Sequence, residues 1–315
     1  MNILFIADPL ASFKIYKDTT FAMMREAQKR GHQIFACEPH HLVWQSGQTV
    51  NAQVQQVHLT DQQDVWFEVQ GVHADRGLHS FDAVVMRKDP PFDSEYFYAT
   101  HLLEQAEREG AKVFNKPSAL RNHPEKLAIL EFAQFISPTL VTRDAQAIRA
   151  FHAVHRDIIL KPLDGMGGMG IFRVKDDALN LGAIIETLNR EGAQTVMVQK
   201  FLPAIAQGDK RVLVIGGKVV PFCLARIPQG GEVRGNLAAG GKGVAQPISK
   251  RDQEIAEVIG PTLAQRGLLL IGLDVIGDNL TEINVTSPTC FQEIFDQTGC
   301  DVAALFLDAL ESAVA

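Results

Sequence analysis

The sequence predicts an α/β fold that passes into α+β in its C-terminal part, and two observations carry the prediction. Across the first ~120 residues, short apolar runs alternate with segments of helical spacing, as a doubly wound, mostly parallel sheet requires. Beyond that point strand-like runs follow one another across glycine turns, the pattern of antiparallel hairpins. Ligands of parallel sheets gather at the carboxyl ends of the strands, so residues just after each run are the first candidates for function.

Asn2–Ala7 is an apolar run ending in Asp8-Pro9, a buried strand stopped by a turn. Thr19–Arg30 sets Phe21, Met24 and Ala27 near helical spacing, and Gly31 suits the helix end. Ala83–Met86 is a second buried strand, with Arg87-Lys88-Asp89-Pro90-Pro91 at its carboxyl end. Asp93 or Ser94 caps a helix running to about Gly110, and Val113-Phe114 resumes as strand. A second region opens near His123. Its helix at Asp144–Val154 precedes a buried strand, Asp157–Pro162, that carries Lys161 near its end. Glycine-rich Asp164–Gly170 leads into a strand at Ile171–Val174. Thr195–Gln199, Arg211–Ile215 and Val219–Ile227 are strands, the latter two joined at Gly216-Gly217. Pro228–Gly243 is dense in glycine without apolar periodicity, the composition of a flexible lid. Glu254–Gln265 reads as helix, Leu268–Val285 as two strands around Gly277-Asp278-Asn279, and Val302–Ala313 as a closing helix.

Composition narrows the function. A chain of 315 residues suggests about two domains or one large one, and 46 % apolar residues suffice for a packed interior. With 37 acids against 30 bases the net charge is -7, which argues against a nucleic-acid partner. No apolar run approaches the ~20 residues of a membrane span, and Met1–Asp8 is too short and too soon acidic for a signal peptide. Cys37, Cys223, Cys290 and Cys300 are scattered without Cys-x-x-Cys spacing, as expected of reduced thiols in a cytoplasmic protein. Cys290 reads as a packed thiol.

The sharpest local pattern is Leu273-Asp274-Val275-Ile276-Gly277-Asp278-Asn279-Leu280-Thr281-Glu282-Ile283-Asn284. With the turn at Gly277–Asn279, Ile276 pairs with Leu280 and Asp274 faces Glu282. Alternation then puts Asp274, Glu282 and Asn284 on one face. Facing carboxylates repel unless a cation lies between them, and this oxygen donor set suits Mg²⁺. The same trio also suits the solvated face of an edge hairpin. Asp164–Gly170 offers backbone N–H groups to a phosphate, or serves as a plain turn. It is neither a dinucleotide fingerprint, since a strand follows, nor a Walker loop, since Gly-Lys-Ser/Thr is missing. Lys161 ends an apolar strand, where an ammonium wants an anion. Lys126, on an expected helix, is in isolation an ordinary solvated lysine. Arg211 and Arg226 each sit at a strand end and suit either phosphate or a salt bridge.

These features in this order resemble the ATP-grasp superfamily, and within it the bacterial glutathione synthetases, over nearly the whole chain. The resemblance rests on Met86–Asp93, Asn115-Lys116-Pro117 and Ile159–Gly168. It continues through Leu224–Glu232, Arg234–Gly241 and Leu280–Pro288. Arg-Lys-Asp-Pro-Pro and Pro-Gln-Gly-Gly-Glu are particular to that synthetase family. The resemblance implies an ATP-grasp fold behind the N-terminal α/β domain, with units at 1–122, 123–200 and 201–315. It also implies joining of γ-glutamylcysteine to glycine with ATP as co-substrate, through an acyl phosphate.

Carried onto this chain, Lys126 and Lys161 correspond to the phosphate-holding lysines, under a small loop of Gly165, Met166, Gly167 and Gly168. Gln199, Lys200, Phe201 and Leu202 correspond to the adenine-reading segment, and Asp209 to the ribose-binding acid. Glu282 and Asn284, with Asp274 beside them, correspond to ligands of Mg²⁺ (or Mn²⁺). Arg211 and Arg226 would stabilise the transferring phosphoryl group, Pro228–Gly243 would close the site, and Arg87 would meet a substrate carboxylate. The resemblance further implies a homotetramer. Two rivals share these residues, a ligase of another substrate such as D-alanine and a nucleotide-holding module without turnover. The synthetase-specific segments speak against the first and the intact charge set against the second.

Overall fold

The computed structural model describes residues 1–60, 62 and 64–315. Strand β1 (Asn2–Ile6) begins the chain, and α1 (Thr19–Lys29) follows, capped by Asp18, whose Oδ1 accepts from Phe21 N at 2.7 Å. Next come β2 (Gln33–Cys37), β3 (Leu42–Val43), β4 (Asn51–Leu59), β5 (Phe67–Gly77) and β6 (Ala83–Met86). Asp93 caps α2 (Ser94–Arg108), and β7 (Val113–Phe114) completes a sheet ordered β3-β4-β2-β1-β6-β7, with β5 also on β4. The sheet is parallel from β2 through β1 and β6 to β7, as expected. Its outer part, β2-β4 with β3 and β5, is antiparallel, which the sequence does not announce. The reason lies in β4. Ala52 and Val54 are buried, then a register shift between Gln56 and Val57 moves burial to Val57 and Leu59, so the alternation is broken in the sequence itself.

After α3 (Pro117–Asn122), a four-stranded antiparallel sheet contains β8 (Thr139–Thr142), β9 (Ile158–Pro162), β10 (Phe172–Val174) and β11 (Val196–Lys200), in order β10-β9-β11-β8. Helices α4 (Ala145–His155) and α5 (Leu181–Asn189) cover one face through Ile148, Ile185 and Leu188 on Ile158, Leu160 and Val198. Strand period then turns Ile159 and Lys161 the other way. The third sheet, all antiparallel, is β14-β13-β12-β15-β16. It contains β12 (Asp209–Ile215), β13 (Lys218–Ile227), β14 (Lys242–Pro247), β15 (Leu270–Ile276) and β16 (Asn279–Asn284), with α6 (Lys250–Gln265) packed on it. Helices α7 (Phe291–Thr298) and α8 (Val302–Val314) return to the first sheet, where Phe306, Leu307 and Leu310 join Phe5, Phe21 and Met24 in one core.

Two expectations are corrected. Lys126 lies in a turn between α3 and a 3-10 segment (Ala128–Phe135), because Pro124 precedes it and the chain must swing between sheets. The loop after β13 ends two residues early, since Lys242 and Gly243 already pair with Ile227 and Arg226 in β14. Within it Gly235 passes so close to β13 that a Cβ would lie 2.1 Å from Arg226 O.

Asn115 stitches the first sheet to the third. Its Nδ2 donates to Leu270 O and Val285 O, both at 2.7 Å, and Leu270 N donates to its Oδ1 at 3.0 Å. Asn115→Ala leaves three buried backbone groups unpaired and should cost about 2–4 kcal/mol of unfolding free energy. Urea titration checks this, and a loss under about 0.5 kcal/mol would contradict the stitch.

Candidate active site

A cleft of about 470 Å³ opens where the three sheets meet, and every site residue named from the sequence lines it. Lys161, turned into it by the period of β9, donates Nζ to Thr281 O at 3.1 Å. Lys126 Nζ reaches Gly165 O at 2.6 Å and Glu282 Oε1 at 3.2 Å, so one ammonium ties the glycine loop to β16. Gly167 and Gly168 have φ of +61° and +84°, which side chains rarely adopt. A Cβ on Gly168 would meet Asn236 Oδ1 at 2.8 Å, and Arg234 Nη1 lies 3.4 Å from Gly168 O. The small and large loops therefore touch over the cleft.

At the end of β11, Gln199 Nε2 donates to Thr139 Oγ1 at 3.0 Å, and Lys200, Phe201 and Leu202 continue along the wall. Asp157 grips Arg173 through Nε (2.9 Å) and Nη2 (2.6 Å), and that guanidinium stands 3.5 Å from the Phe201 ring centroid. Ile159, Ile205 and Ile276 add apolar surface, making a slot for a flat ring.

Registers on the third sheet create a ladder of charge. Arg211, Asp274 and Glu282 are opposite one another across β12, β15 and β16, and Arg226 faces Asp209 across β13 and β12. Asp274 Oδ1 accepts from Arg211 Nε at 2.6 Å, and its Oδ2 lies 2.9 Å from Arg226 Nη2. Arg226 Nη2 also reaches Asp209 Oδ2 at 2.5 Å. Burial alone would raise the Asp274 carboxyl, but the two guanidinium groups outweigh it and hold it well below the usual range. Burial pushes Asp209 up to about 6 despite Arg226. Its Oδ1 is buried without a hydrogen-bond partner among the described residues. Gly272 makes room for this arrangement, since a Cβ there would meet Arg211 Cδ at 2.8 Å.

The hairpin that carries Asp274 and Glu282 differs from expectation in one detail. The turn is two residues, Gly277-Asp278, so Ile276 pairs with Asn279 and Val275 with Leu280. A bulge between Asp274 and Val275 restores Asp274 opposite Glu282. Asn284 Nδ2 donates to Gly272 O at 3.2 Å, which turns its amide oxygen the other way. The donors here are all hard oxygens and fit Mg²⁺. Glu282 and Asn284 are the freer pair, because guanidinium groups already engage both Asp274 oxygens. Among the described residues no three His, Cys, Asp or Glu side chains form a closed cage, and Mg²⁺ held beside phosphates needs none.

On the opposite wall Arg87 is 3 % exposed, with Nε on Thr20 Oγ1 (3.1 Å) and Nη2 on Pro288 O (3.0 Å). Several lining residues escape sequence reasoning. Glu125 is one. Its Oε1 accepts from Val285 N (2.9 Å), Thr286 N (3.1 Å) and Thr286 Oγ1 (2.7 Å), fastening the turn of Lys126 to the end of β16. No local signal in the sequence links a glutamate to amides 160 residues away. Thr20, Asn236, Ser287 and Glu293 are missed in the same way.

Comparison with known proteins places the chain. Residues 1–121 match the N-terminal domain model of prokaryotic glutathione synthetase, and residues 125–299 match its ATP-grasp domain model. The chain belongs to the prokaryotic glutathione synthetase family. Glutathione synthetase of Ralstonia nicotianae is 60 % identical over 313 residues, covering 99 % of this chain and 96 % of that one. That of Nitrosomonas europaea is 56 % identical over 318 residues, covering 100 % and 99 %. Among solved structures, D-cycloserine synthetase DcsG aligns over 100 % of both chains with a TM-score of 0.67 at 14 % identity. ATP-grasp ligase PsnB, complexed with precursor peptide PsnA2 and AMPPNP, aligns over 100 % of this chain and 97 % of that one, with a TM-score of 0.62 at 22 % identity. These two likenesses establish the ATP-grasp fold, and the synthetase family follows from the sequence matches.

Burial lowers the pKa of Lys161, with Glu282 opposing the shift. The unfolded chain holds that proton to about 10.5 and the folded chain releases it earlier, so the destabilisation is full below the folded-state pKa and fades as pH climbs from there toward 10.5. Lys161→Met should therefore stabilise the ligand-free protein by about 1–2 kcal/mol at pH 7, a gain that shrinks at alkaline pH while activity is lost. Denaturant titration at several pH values checks it, and a less stable variant at pH 7 would contradict it.

Proposed function

We propose that the cleft joins γ-glutamylcysteine to glycine, converting ATP to ADP and phosphate, in keeping with an ATP-dependent ligase of the glutathione synthetase family. The observation that supports it most directly is the meeting of Lys126 and Lys161 with Glu282 and Asn284 across one cavity, beside Arg211 and Arg226. Cations set beside hard oxygen donors suit a metal triphosphate.

In this reading the adenine lies in the slot by Phe201 and Leu202, with backbone groups of Gln199–Leu202 on its edge. Asp209 offers its unpartnered oxygen to a ribose hydroxyl. Lys126, Lys161 and the amides of Gly165–Gly168 hold the phosphates. Glu282 and Asn284, with Asp274 beside them, would hold Mg²⁺, which when bound neutralises phosphate charge. The γ-phosphoryl group passes to the cysteinyl carboxylate, and Arg211 and Arg226 balance the developing charge. The amine of glycine then attacks the acyl carbon, and phosphate leaves. The small and large loops, in contact through Arg234 and Gly168, exclude water from the acyl phosphate. Arg87 meets a substrate carboxylate. A homotetramer in the cytoplasm accords with the family resemblance and with four free thiols.

ADP release that requires both γ-glutamylcysteine and glycine tests the reading, and release with either alone or with D-alanine would overturn it. Glu282→Gln should lower kcat by roughly 10²–10³-fold with stability near the parent's, checked by steady-state kinetics and thermal melting; near-normal turnover at saturating Mg²⁺ would contradict the metal role. Proteolytic cleavage within residues 228–241 should spare ATP binding but uncouple ATP consumption from peptide formation. Measuring ADP and glutathione side by side decides it, since an unchanged ratio would remove the loop from the protection of the intermediate.

A further inference from the structure

Two buried polar side chains line the cleft beside β8 and keep an atom in reserve. Ser137, just before β8, is 5 % exposed, and its Oγ has no hydrogen-bond partner among the described residues. Gln199, on β11, is also 5 % exposed, and its side chain makes one hydrogen bond among the described residues, through Nε2. Buried polar atoms without partners are rare and call for a ligand. Which kind of ligand depends on how the Gln199 amide is turned, and the structure settles that through a third residue. Pairing of β8 with β11 sets Thr139 opposite Gln199. Thr139 Oγ1 donates to Ser137 O at 2.8 Å, and a hydroxyl has only one proton to give. Toward Gln199 it can therefore only accept, and it takes Nε2 at 3.0 Å. A flipped amide would set oxygen against oxygen. Turning the hydroxyl to suit that flip would strip the buried Ser137 carbonyl of its donor. The amide is locked, with its oxygen left over as an acceptor.

An acceptor fixed in this way sorts flat rings by the group they present to it. A 6-amino purine brings a donor and satisfies Gln199. A 6-oxo purine brings a second acceptor, and two carbonyl oxygens in a water-poor slot repel. Ser137 sorts less strictly, because a free hydroxyl rotates to donate or to accept. Thr139 itself is not among the residues that line the cleft, so any influence it has on a base passes through Gln199. Resting on the ATP-dependent function proposed above, we infer that Thr139 is a positioning residue for the choice of nucleobase. By locking the Gln199 amide, it makes the cleft select 6-amino over 6-oxo purine triphosphates.

The test compares ATP with inosine triphosphate at saturating γ-glutamylcysteine and glycine. The parent enzyme should prefer ATP by on the order of 10²-fold in kcat/KM. Thr139→Val, which keeps the shape and removes the hydroxyl, should shrink that ratio by on the order of tenfold. The change should fall on KM for the nucleotide, with kcat for ATP within about threefold of the parent and both other KM values steady. Thr139→Ser restores the hydroxyl and should restore the parent ratio, which a merely structural role for the threonine would not predict. Should Thr139→Val fail to fold, Gln199→Glu carries the test, because a carboxylate offers oxygen at both positions and should keep the preference for ATP. A parent that uses both triphosphates equally overturns the inference. So does Thr139→Val with the parent ratio, Thr139→Ser with the valine variant's ratio, or Gln199→Glu with a preference for inosine triphosphate. If neither triphosphate yields glutathione, the function proposed above fails instead. Calorimetric titration with ADP and with inosine diphosphate, run without the peptide substrates, then still decides whether Thr139 sets the choice of base.

Discussion

Two guanidinium groups and two carboxylates lie side by side, buried, on one face of the third sheet, and the site is arranged around them. Any one of Arg211, Arg226, Asp209 or Asp274 alone would be expensive to remove from water. Together they sum to zero and hydrogen-bond one another across β13, β12 and β15, so the ligand-free protein can keep them dry. Surplus positive charge in the cleft comes from another sheet, through Lys161, and from the connecting turn, through Lys126, where the proposed function puts the triphosphate. Neutral scaffold and cationic grip are thus separate elements, and the grip closes only where the sheets converge.

The strand period carries that separation through the molecule. In β9, Ile158 and Leu160 enter the core beneath α4 and α5, while Ile159 and Lys161 face the cleft. In β12, Val212 and Val214 are buried in the core and Asp209 and Arg211 line the site. The second sheet therefore has one apolar face and one face on the cleft, whereas in β12 the cleft-facing period runs on into Leu213 and Ile215, buried in a core of their own; substitutions at core and cleft positions should separate folding from chemistry.

Much of this was legible in the sequence because it is local. A lysine closing an apolar run, a glycine-rich turn between strands, and two acids placed symmetrically about the expected Gly277–Asn279 turn each follow from chain geometry within about a dozen residues. The hairpin shows the limit of such reasoning. Asp274 does face Glu282, but through a shorter turn and a compensating bulge that only the pairing reveals. Arg226 on Asp209 depends on which strands become neighbours. Glu125 on Thr286 and Asn115 on Leu270 depend on how separate sheets dock, and the chain carries no short-range trace of either. The antiparallel arm of the first sheet was hidden for another reason, since a bulge in β4 erases the alternation that would mark it.

The return of α8 to the first sheet bears on the order in which the molecule is made. Phe306, Leu307 and Leu310 finish a core whose other members include Phe5, Phe21 and Met24. The opening strands and α1 are synthesised nearly 300 residues before the helix that shields them. On the ribosome, at roughly 5–20 residues per second, that apolar surface waits many seconds for its cover. The N-terminal sheet of this chain is therefore a poor candidate for maturing on its own before α8 has emerged.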